Sequence, residues 1–368
     1  MADPLRQVFV RFWPLIVLLA IVAATAQIAD LGGELLQRKV QLALIYLVLT
    51  VALYVFTGNS GVFSFGTVGF MAVGAYTTAL LTIPPQTKHD AFSQLPPFIQ
   101  HANWPTTAAI TFGGVLAAAF ALVLSLPLMR LSGLAASLAT FAVLNIVYIV
   151  GTSWSQITNG ASGLEGIPEG TTVNTALAWS LVAITAAYLV QISRYGLRLR
   201  ASREDERAAR SIGIGVHAER RLGFVVSGFF AGIAGGLFAQ YIGAFNAQAF
   251  YLDITFLTVV MLVVGGVASL AGAVLGSIFI SFASEVLLKL EGGFNVGPLH
   301  VPGRSGLREL MLAVIMLVIL VLRPRGITDG RELTWPLSPR GFHLFGRRLG
   351  RTAPLEAPAE PSEDVEVS

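Results

Sequence analysis

Long apolar stretches alternate with short polar connections along almost the whole chain. A helix needs roughly 20 apolar residues to cross about 30 Å of hydrocarbon. The pattern predicts ten membrane-spanning helices, at residues 12–29, 40–57, 61–81, 106–128, 133–152, 174–192, 222–243, 252–267, 271–288 and 307–322. The predicted fold class is therefore all-α, a polytopic transmembrane helix bundle.

The pattern allows an alternative interpretation of the span at 61–81 and of the stretch 252–288. The span at 61–81 is rich in glycine, so a re-entrant or broken helix is the other interpretation, because protein can bury irregular backbone at membrane depth. The apolar stretch 252–288 is nearly continuous, and we divide it at Gly265-Gly266.

The first span also resembles a signal peptide, because two arginines precede it and Ala24-Thr25-Ala26 ends it like a cleavage site. The apolar run is long for a signal peptide and further spans follow. These features favour a retained first helix.

Composition supports a lipid environment. Hydrophobic residues make up 54% of the chain, charged residues 12%, and the mean hydropathy is +0.71. Soluble domains carry about 25% charged residues. Cysteine is absent, which excludes disulfides, cysteine metal sites and thiol nucleophiles.

Arginine placement predicts the orientation, because cytoplasmic loops of membrane proteins are enriched in Lys and Arg. The connection 193–221 holds eight arginines: Arg194, Arg198, Arg200, Arg203, Arg207, Arg210, Arg220 and Arg221. With ten spans, one side of the membrane holds this connection, Arg6, Arg11, Arg130 and the tail after 322. That side is the predicted cytoplasmic side, so both termini are predicted to be cytoplasmic. Basic residues that fall on the opposite side argue against this orientation, among them Arg38, Lys39, Lys289 and Arg304.

The two parts of the chain differ in character. Residues 1–330 form the predicted membrane domain, and residues 331–368 form a cytoplasmic tail. From Pro354 onward the tail is rich in proline and acidic residues. Low hydrophobicity with like charge predicts that the tail is largely disordered.

Within the arginine-rich connection, residues 203–213 have the pattern of a short surface helix. Acidic residues come first and basic residues follow, which suits the helix dipole. Ala208 and Ala209 favour helix, and Gly213 is placed to end it. A plain positively charged loop explains the arginines without explaining this order.

The segment Ala208-Ala209-x-x-x-Gly213 resembles the loop by which the permeases of ABC importers contact their ATPase, and the wider stretch from Arg200 resembles the version in branched-chain amino acid permeases. Arg207 stands where the general motif has glutamate. The resemblance implies an ATPase-coupling role for Arg203, Glu204, Asp205, Glu206, Arg207, Ala208, Ala209 and Gly213.

Three further segments are similar to the same family, in the family's order: 58–76, 158–168 and 323–326. The first of them, with the glycine-rich helix near 230, supplies candidates for the pathway or for helix packing: Gly61, Ser64, Gly66, Gly69, Gly74, Asn145, Gly228, Gly232 and Gly236. Small residues allow helices to approach closely in lipid, and static packing and a moving contact stay equally open. The second supplies candidates at the outer face: Thr158, Gly160, Gly163 and Gly166.

Polar residues inside the predicted spans are few. Glu285 lies near the outer end of its span, and Asn145, Tyr148 and Gln240 are the other notable cases. For Asn145, Tyr148 and Gln240, an interhelical hydrogen bond is favoured over substrate contact. A proton-coupled carrier normally keeps buried ionisable residues for its relay, and the chain offers no convincing set of them.

Catalytic chemistry has no candidate in the sequence. The five histidines form no metal-ligand motif, and no lysine follows a glycine as a phosphate-binding loop requires. We expect no catalytic residues, no metal and no cofactor. Any ATP hydrolysis belongs to another chain.

The resemblance implies a complete importer around this chain. Its expected partners are a second homologous permease subunit, two ABC ATPase subunits, a periplasmic substrate-binding protein and the lipid bilayer. The implied substrates are branched-chain amino acids, with urea, short amides or other amino acids as alternatives. A stand-alone secondary transporter and a membrane-embedded enzyme remain the rival classes.

Overall fold

The computed structural model describes residues 4–91, 96–291, 294–296, 299–301, 306–330 and 332. Within them the chain is a bundle of helices connected by short loops. The helices are α1 Pro4–Leu31, α2 Gly33–Ser60, α3 Thr67–Thr82, α4 Pro85–Ala91, α5 Pro97–Gln100, α6 Thr106–Leu128, α7 Gly133–Ser153, α8 Ser155–Thr158, α9 Val173–Ile192, α10 Arg194–Glu204, α11 Glu206–Ser211, α12 Val216–Ile242, α13 Leu252–Gly265, α14 Leu270–Glu291 and α15 Leu307–Leu322.

Eight helical segments of the described chain are long and apolar enough to cross a membrane. They are Phe12–Ala29, Gly33–Ser60, Thr106–Leu128, Gly133–Ser153, Val173–Ile192, Val216–Ile242, Ala247–Gly265 and Leu270–Glu291. The remaining two predicted spans correspond to α3 and α15, which have 16 residues each. A 16-residue helix is about 24 Å long at about 1.5 Å per residue, so these two are short for a full crossing.

The predicted start of the third span at residue 61 is wrong. Gly61 adopts a left-handed conformation, with φ 73°, and ends α2, while α3 begins only at Thr67. The six residues between the two helices are irregular, as the alternative of a broken helix anticipated. The predicted division at Gly265-Gly266 is confirmed, because α13 ends at Gly265 and Gly266 has φ 122°.

Helix α12 lies at the centre of the bundle and packs against α2, α3 and α6. Its middle turns are glycine-rich and buried from Ala231 to Gln240. A large apolar core surrounds it, including the fully buried side chains of Phe56, Phe70 and Phe224, whose rings meet edge to face.

Strand structure is limited, in the described residues, to one antiparallel hairpin of β1 Phe294–Val296 and β2 Leu299–Val301. The all-α class is therefore confirmed apart from this hairpin. Of the predicted tail 331–368, only residue 332 belongs to the described part, and Arg304 lies outside it as well.

Candidate functional site

Contacts between loops divide the bundle into two ends. One end, called the arginine-rich end, holds the connection 193–221 and the turn at Gly265. In the connection, His217 Nδ1 lies 2.6 Å from the Met129 carbonyl oxygen. At the turn, the Gly265 carbonyl accepts from the Thr328 amide at 3.2 Å. The opposite end holds the loop 158–173, where Leu164 and Phe245 exchange two backbone hydrogen bonds of 2.8 and 2.9 Å.

The predicted surface helix at 203–213 is in fact two helices. Arg203 and Glu204 belong to the last turn of α10, and Asp205 leaves the helical conformation with φ −149° and ψ 110°. Its carboxylate caps α11, accepting from the amides of Arg207 and Ala208 at 2.8 and 3.0 Å. The prediction of one continuous helix missed the competition between a capping aspartate and a helical one.

The end of α11 agrees with the sequence. The helix stops at Ser211, and Gly213 follows in the left-handed region with φ 84°. Ala209 is buried, while Glu204, Arg207 and Ala208 are exposed. The outer face of α11 is therefore a charged surface with open space around Gly213.

Arg203 joins two of the segments that the sequence singled out separately. Its guanidinium Nη1 donates to the Gly58 carbonyl at 2.7 Å, near the end of α2. Its aliphatic stem covers Gly61, where an added Cβ would come within 2.8 Å of Arg203 Cγ. The connection 193–221 thus holds the junction between α2 and α3 directly.

Glu206 fastens α11 to the start of α12. Its carboxylate pairs with Arg210 on its own helix and with Arg220 at 2.9 Å, and the Arg220 side chain is only 5% exposed. Partial burial raises the pKa of Glu206, but hydrogen bonds and charge from Arg220 and Arg210 outweigh it, and the net pKa is lowered. Glu206 is therefore ionised and paired at neutral pH.

Glu332 lies in the segment that follows α15 and accepts hydrogen bonds from several elements at the arginine-rich end. Its Oε1 accepts from the Leu270 amide at 2.6 Å, at the start of α14, and from Gln191 Nε2 at 2.8 Å. Tyr54 Oη donates to the same atom at 3.4 Å. One carboxylate thus connects α2, α9 and α14. The sequence offered no signal for it, because Glu332 lies in a segment assigned to the tail.

The irregular segment between α2 and α3 is held by hydroxyl groups. The Ser64 amide donates to Thr57 Oγ1 at 3.4 Å, and the Phe65 amide donates to Thr140 Oγ1 at 3.2 Å. Gly66 lies directly against α7, because a Cβ there would come within 2.8 Å of the Thr140 carbonyl. Buried irregular backbone is satisfied here by side chains of neighbouring helices.

The predicted glycines mostly serve close helix crossings. A Cβ at Gly74 would lie 2.1 Å from the Gly232 carbonyl, and one at Gly228 would lie 2.6 Å from Ala121 Cβ. A Cβ at Gly236 would lie 2.6 Å from Thr78 Oγ1, whereas a Cβ at Gly69 would make only ordinary van der Waals contact at 3.5 Å. Gly235 was not among the glycines predicted to pack helices, although a Cβ there would lie 1.9 Å from the Met71 carbonyl oxygen.

Asn145 makes the interhelical hydrogen bond expected of it. Its Oδ1 accepts from Tyr251 Oη at 2.7 Å, and its Nδ2 donates to the Phe141 carbonyl at 3.0 Å. Tyr148, one turn later, stacks on Tyr251 with 4.3 Å between ring centroids. These contacts join α7 to the start of α13.

At the opposite end, the segment 158–168 forms a tight turn against the loop after α12. Gly160, Gly163 and Gly166 all have positive φ, of 58°, 79° and 73°. The Thr158 hydroxyl donates to the Trp154 carbonyl at 2.6 Å. A Cβ at Gly163 would come within 2.3 Å of the Phe245 carbonyl. The glycines here are required by the backbone.

Two basic residues that argued against the predicted orientation are ion-paired. Arg38 pairs with Glu169 at 2.9 Å, and Lys39 pairs with Glu285. The side chains of Lys39 and Glu285 are 26% and 29% exposed. The two basic residues still count against the predicted orientation, because acidic residues contribute little to the charge bias of loops. No group of three metal-ligating residues occurs among the described residues.

Comparisons with known proteins identify the family of the chain. Residues 36–322 match the family described as branched-chain amino acid transport system / permease component. The chain is 26% identical, over 78% of its length and 68% of the relative, to the high-affinity branched-chain amino acid transport system permease protein LivM of Escherichia coli (strain K12). It is 25% identical, over 73% of its length and 85% of the relative, to the nucleoside ABC transporter permease protein NupC of Lactococcus lactis subsp. cremoris (strain MG1363).

A third relative is matched over a shorter region. The chain is 25% identical to the high-affinity branched-chain amino acid transport system permease protein LivH of Escherichia coli (strain K12), over 46% of its length and 52% of the relative. No solved structure matches the chain significantly.

Proposed function

The chain belongs to the family of branched-chain amino acid transport permeases, and we propose that it is a pathway subunit of an ATP-driven importer of branched-chain amino acids. As a multi-pass membrane permease of the ABC importer family, it is a transport subunit and not an enzyme. Its family implies ATPase and binding-protein partners. Similarity to both LivM and LivH supports pairing with a second, homologous permease.

The arginine-rich end faces the cytoplasm in this proposal, with both termini on the same side. Eight arginines in 193–221 support it through the charge bias of cytoplasmic loops. The outer-face candidates around Gly163 then lie on the side of the binding protein. In this proposal, residues 1–330 form the membrane domain and residues 331–368 a cytoplasmic tail, of which Glu332 packs against the domain.

The single observation that carries the coupling role is the contact of Arg203 with the α2–α3 junction. An ATPase that contacts the charged outer face of α11 would displace a loop fixed to Gly58 through Arg203 and to α12 through the Glu206–Arg220 pair. Helices α3 and α12 cross at Gly74 and Gly232 with no space between them, so displacement of one moves the other. The glycines are positioned to keep this contact close.

The test is ATP-dependent uptake by proteoliposomes that contain the chain with a second permease, ATPases and a binding protein of the same importer family from the same organism. We expect accumulation of labelled leucine, isoleucine and valine that stops when the ATPase is inactivated. Reversing the charge of Glu204, Asp205 and Glu206 together, or replacing Gly213 with a bulky residue, should lower uptake and recovery of the ATPase with the permease. Uptake that persists without ATP would contradict the proposal.

A nucleoside is the second candidate substrate, because the nucleoside permease relative is matched over 85% of its length at nearly the same identity as LivM. Competition for uptake distinguishes a nucleoside substrate from an amino acid substrate. A hundredfold excess of unlabelled uridine should leave leucine uptake unchanged if the substrate is an amino acid. Urea and short amides are tested in the same assay.

A further inference from the structure

A polar cavity of about 320 Å³ lies at the opposite end of the bundle, between the start of α2, the loop before α9 and the end of α12. Polar and charged side chains dominate its wall, among them Glu34, Arg38, Gln41, Glu169, Thr171 and Gln240. The volume lies at the lower end of the range for small-molecule sites, about 300–1,000 Å³. It suits a ligand of few atoms that carries both charges.

Gln240 is the least expected member of this wall. Its side chain is fully buried, and neither amide atom has a hydrogen-bond partner among the described residues. The sequence predicted an interhelical hydrogen bond for it, which the described contacts do not include. Buried polar groups are nearly always paired, because an unpaired one costs folding free energy. A polar ligand in the cavity would supply this amide with hydrogen-bond partners.

Arg38 and Glu169 supply opposite charges at the same cavity. Their side chains pair at 2.9 Å and are 59% and 60% exposed. An exposed ion pair contributes little to stability, so a ligand can replace it at small cost. Gln41 is held in place by donating to the Thr171 carbonyl, which fixes the wall on the other side.

We propose that this cavity binds the zwitterionic head of an α-amino acid on its way through the permease. Arg38 takes the α-carboxylate, Glu169 takes the α-ammonium, and the Gln240 amide hydrogen-bonds to the head group from the buried side. The wall is mostly polar, so the site recognises the charged groups common to all amino acids and is indifferent to the side chain. The proposal rests on the proposed function and adds the place where the substrate is held.

Direct binding to the purified full-length chain in lipid nanodiscs tests the site. The probe is labelled L-leucine, with L-valine, leucinamide and isocaproate as competitors. Leucine and valine should compete within about threefold of each other. Leucinamide lacks the carboxylate and isocaproate lacks the ammonium, so each should compete at least tenfold more weakly.

Three variants separate binding from folding. Arg38→Gln and Glu169→Gln should each weaken leucine binding at least tenfold. Gln240→Met keeps the side-chain volume and removes the unpaired amide, so it should weaken binding at least threefold while leaving the unfolding temperature the same or higher. A merely structural glutamine would lower the unfolding temperature when replaced. Lys289→Gln, at the same end but away from this cavity, is the control and should bind normally.

The outcomes that overturn the proposal are distinct from those that overturn the transport function. Normal binding in all three variants, equal competition by leucinamide, or no binding of leucine at millimolar concentration would each refute the site, even if ATP-driven uptake is intact. Absence of ATP-driven uptake by the assembled importer, with leucine binding still lost in Arg38→Gln, would refute the importer and leave the site standing.

Discussion

Two polar sites, one at each end of the bundle, are held in different ways. At the arginine-rich end, charged side chains reach across elements to partners that are part of the fold: Arg203 to the Gly58 carbonyl, Arg220 to Glu206, and Glu332 to the Leu270 amide. At the opposite end, Arg38 and Glu169 pair in an exposed position, and the buried Gln240 amide has no hydrogen-bond partner among the described residues.

This difference sets what each end can do. A partly buried charge held by backbone groups is costly to release, because the group left behind is desolvated and unpaired. An exposed pair exchanges its partners at almost no cost. The arginine-rich end is therefore suited to transmitting a displacement, and the opposite end is suited to exchanging one set of contacts for another.

Replacing Glu332 with alanine should have the largest effect. It removes the acceptor for the Leu270 amide and Gln191, and we expect a loss of about 3 kcal/mol from the free energy of unfolding, since buried donors are left unpaired. Thermal unfolding of the purified protein in detergent measures it.

Glu332→Gln is the matched control, because the amide oxygen still accepts hydrogen bonds at nearly unchanged volume. It should recover at least half of the lost stability. If the alanine variant unfolds at the same temperature as the wild type, the Glu332 hydrogen bonds do not stabilise the fold, and the contrast between the two ends is refuted.

Replacing Arg203 with methionine should have the next largest effect. The stem that covers Gly61 is kept, while the hydrogen bond to the Gly58 carbonyl is lost, and that bond is worth about 1.5–3 kcal/mol for a charged donor. We expect uptake to fall about tenfold, since 1.4 kcal/mol corresponds to a factor of ten, while the purified chain still folds.

Arg194→Met provides the comparison for Arg203, because Arg194 lies on the same helix and is exposed. It removes the same charge from the same loop. If both variants lose uptake equally, net charge explains the effect and the contact with Gly58 does not.

Acid should loosen α11 through Glu206. The folded pKa of Glu206 is lowered, chiefly by the hydrogen bond and charge of Arg220 acting against partial burial. The stabilisation is therefore complete above the ordinary glutamate pKa of about 4.3 and is lost as the pH falls through the lowered value. Amide hydrogen exchange in 206–211, corrected for intrinsic rates, should rise in that acid range.

Glu206→Gln separates this titration from general acid effects. Its exchange in the same segment should already be faster at pH 7 and should change little in the acid range. If the wild type and the variant show parallel pH profiles, Glu206 is not the group that titrates.

The fold could be predicted from the sequence wherever a single physical signal was strong. Span length and charge scarcity predicted the helix bundle, and Gly265-Gly266 marked a real break. The end of α2 was missed because Gly61 looks like any other small residue in a glycine-rich helix, and only its φ of 73° shows that it stops one. Asp205 was missed because a helix-capping aspartate and a helical one look the same in a charged run.

The site was less predictable, because its contacts join residues that are distant in sequence. Arg203 and Gly58 were each singled out, yet their contact across 145 positions was not. Glu332 and the Arg38–Glu169 pair had no local pattern at all. Gln240 was noticed, but a sequence cannot show that a buried amide is unpaired.

Removing the exposed pair at the opposite end should change stability least. Arg38→Gln, Glu169→Gln and the double variant should each unfold within about 0.5 kcal/mol of the wild type, and the double-mutant cycle should give a coupling energy below about 1 kcal/mol. A coupling energy of 2 kcal/mol or more would mean that Arg38 and Glu169 form a structural contact like those around Glu332. The pair would then be too costly to open for a ligand, and the contrast between the two ends would disappear. The contrast requires a small coupling energy together with a large loss of leucine binding. Arg38 and Glu169 would then be dispensable for folding and required for substrate binding.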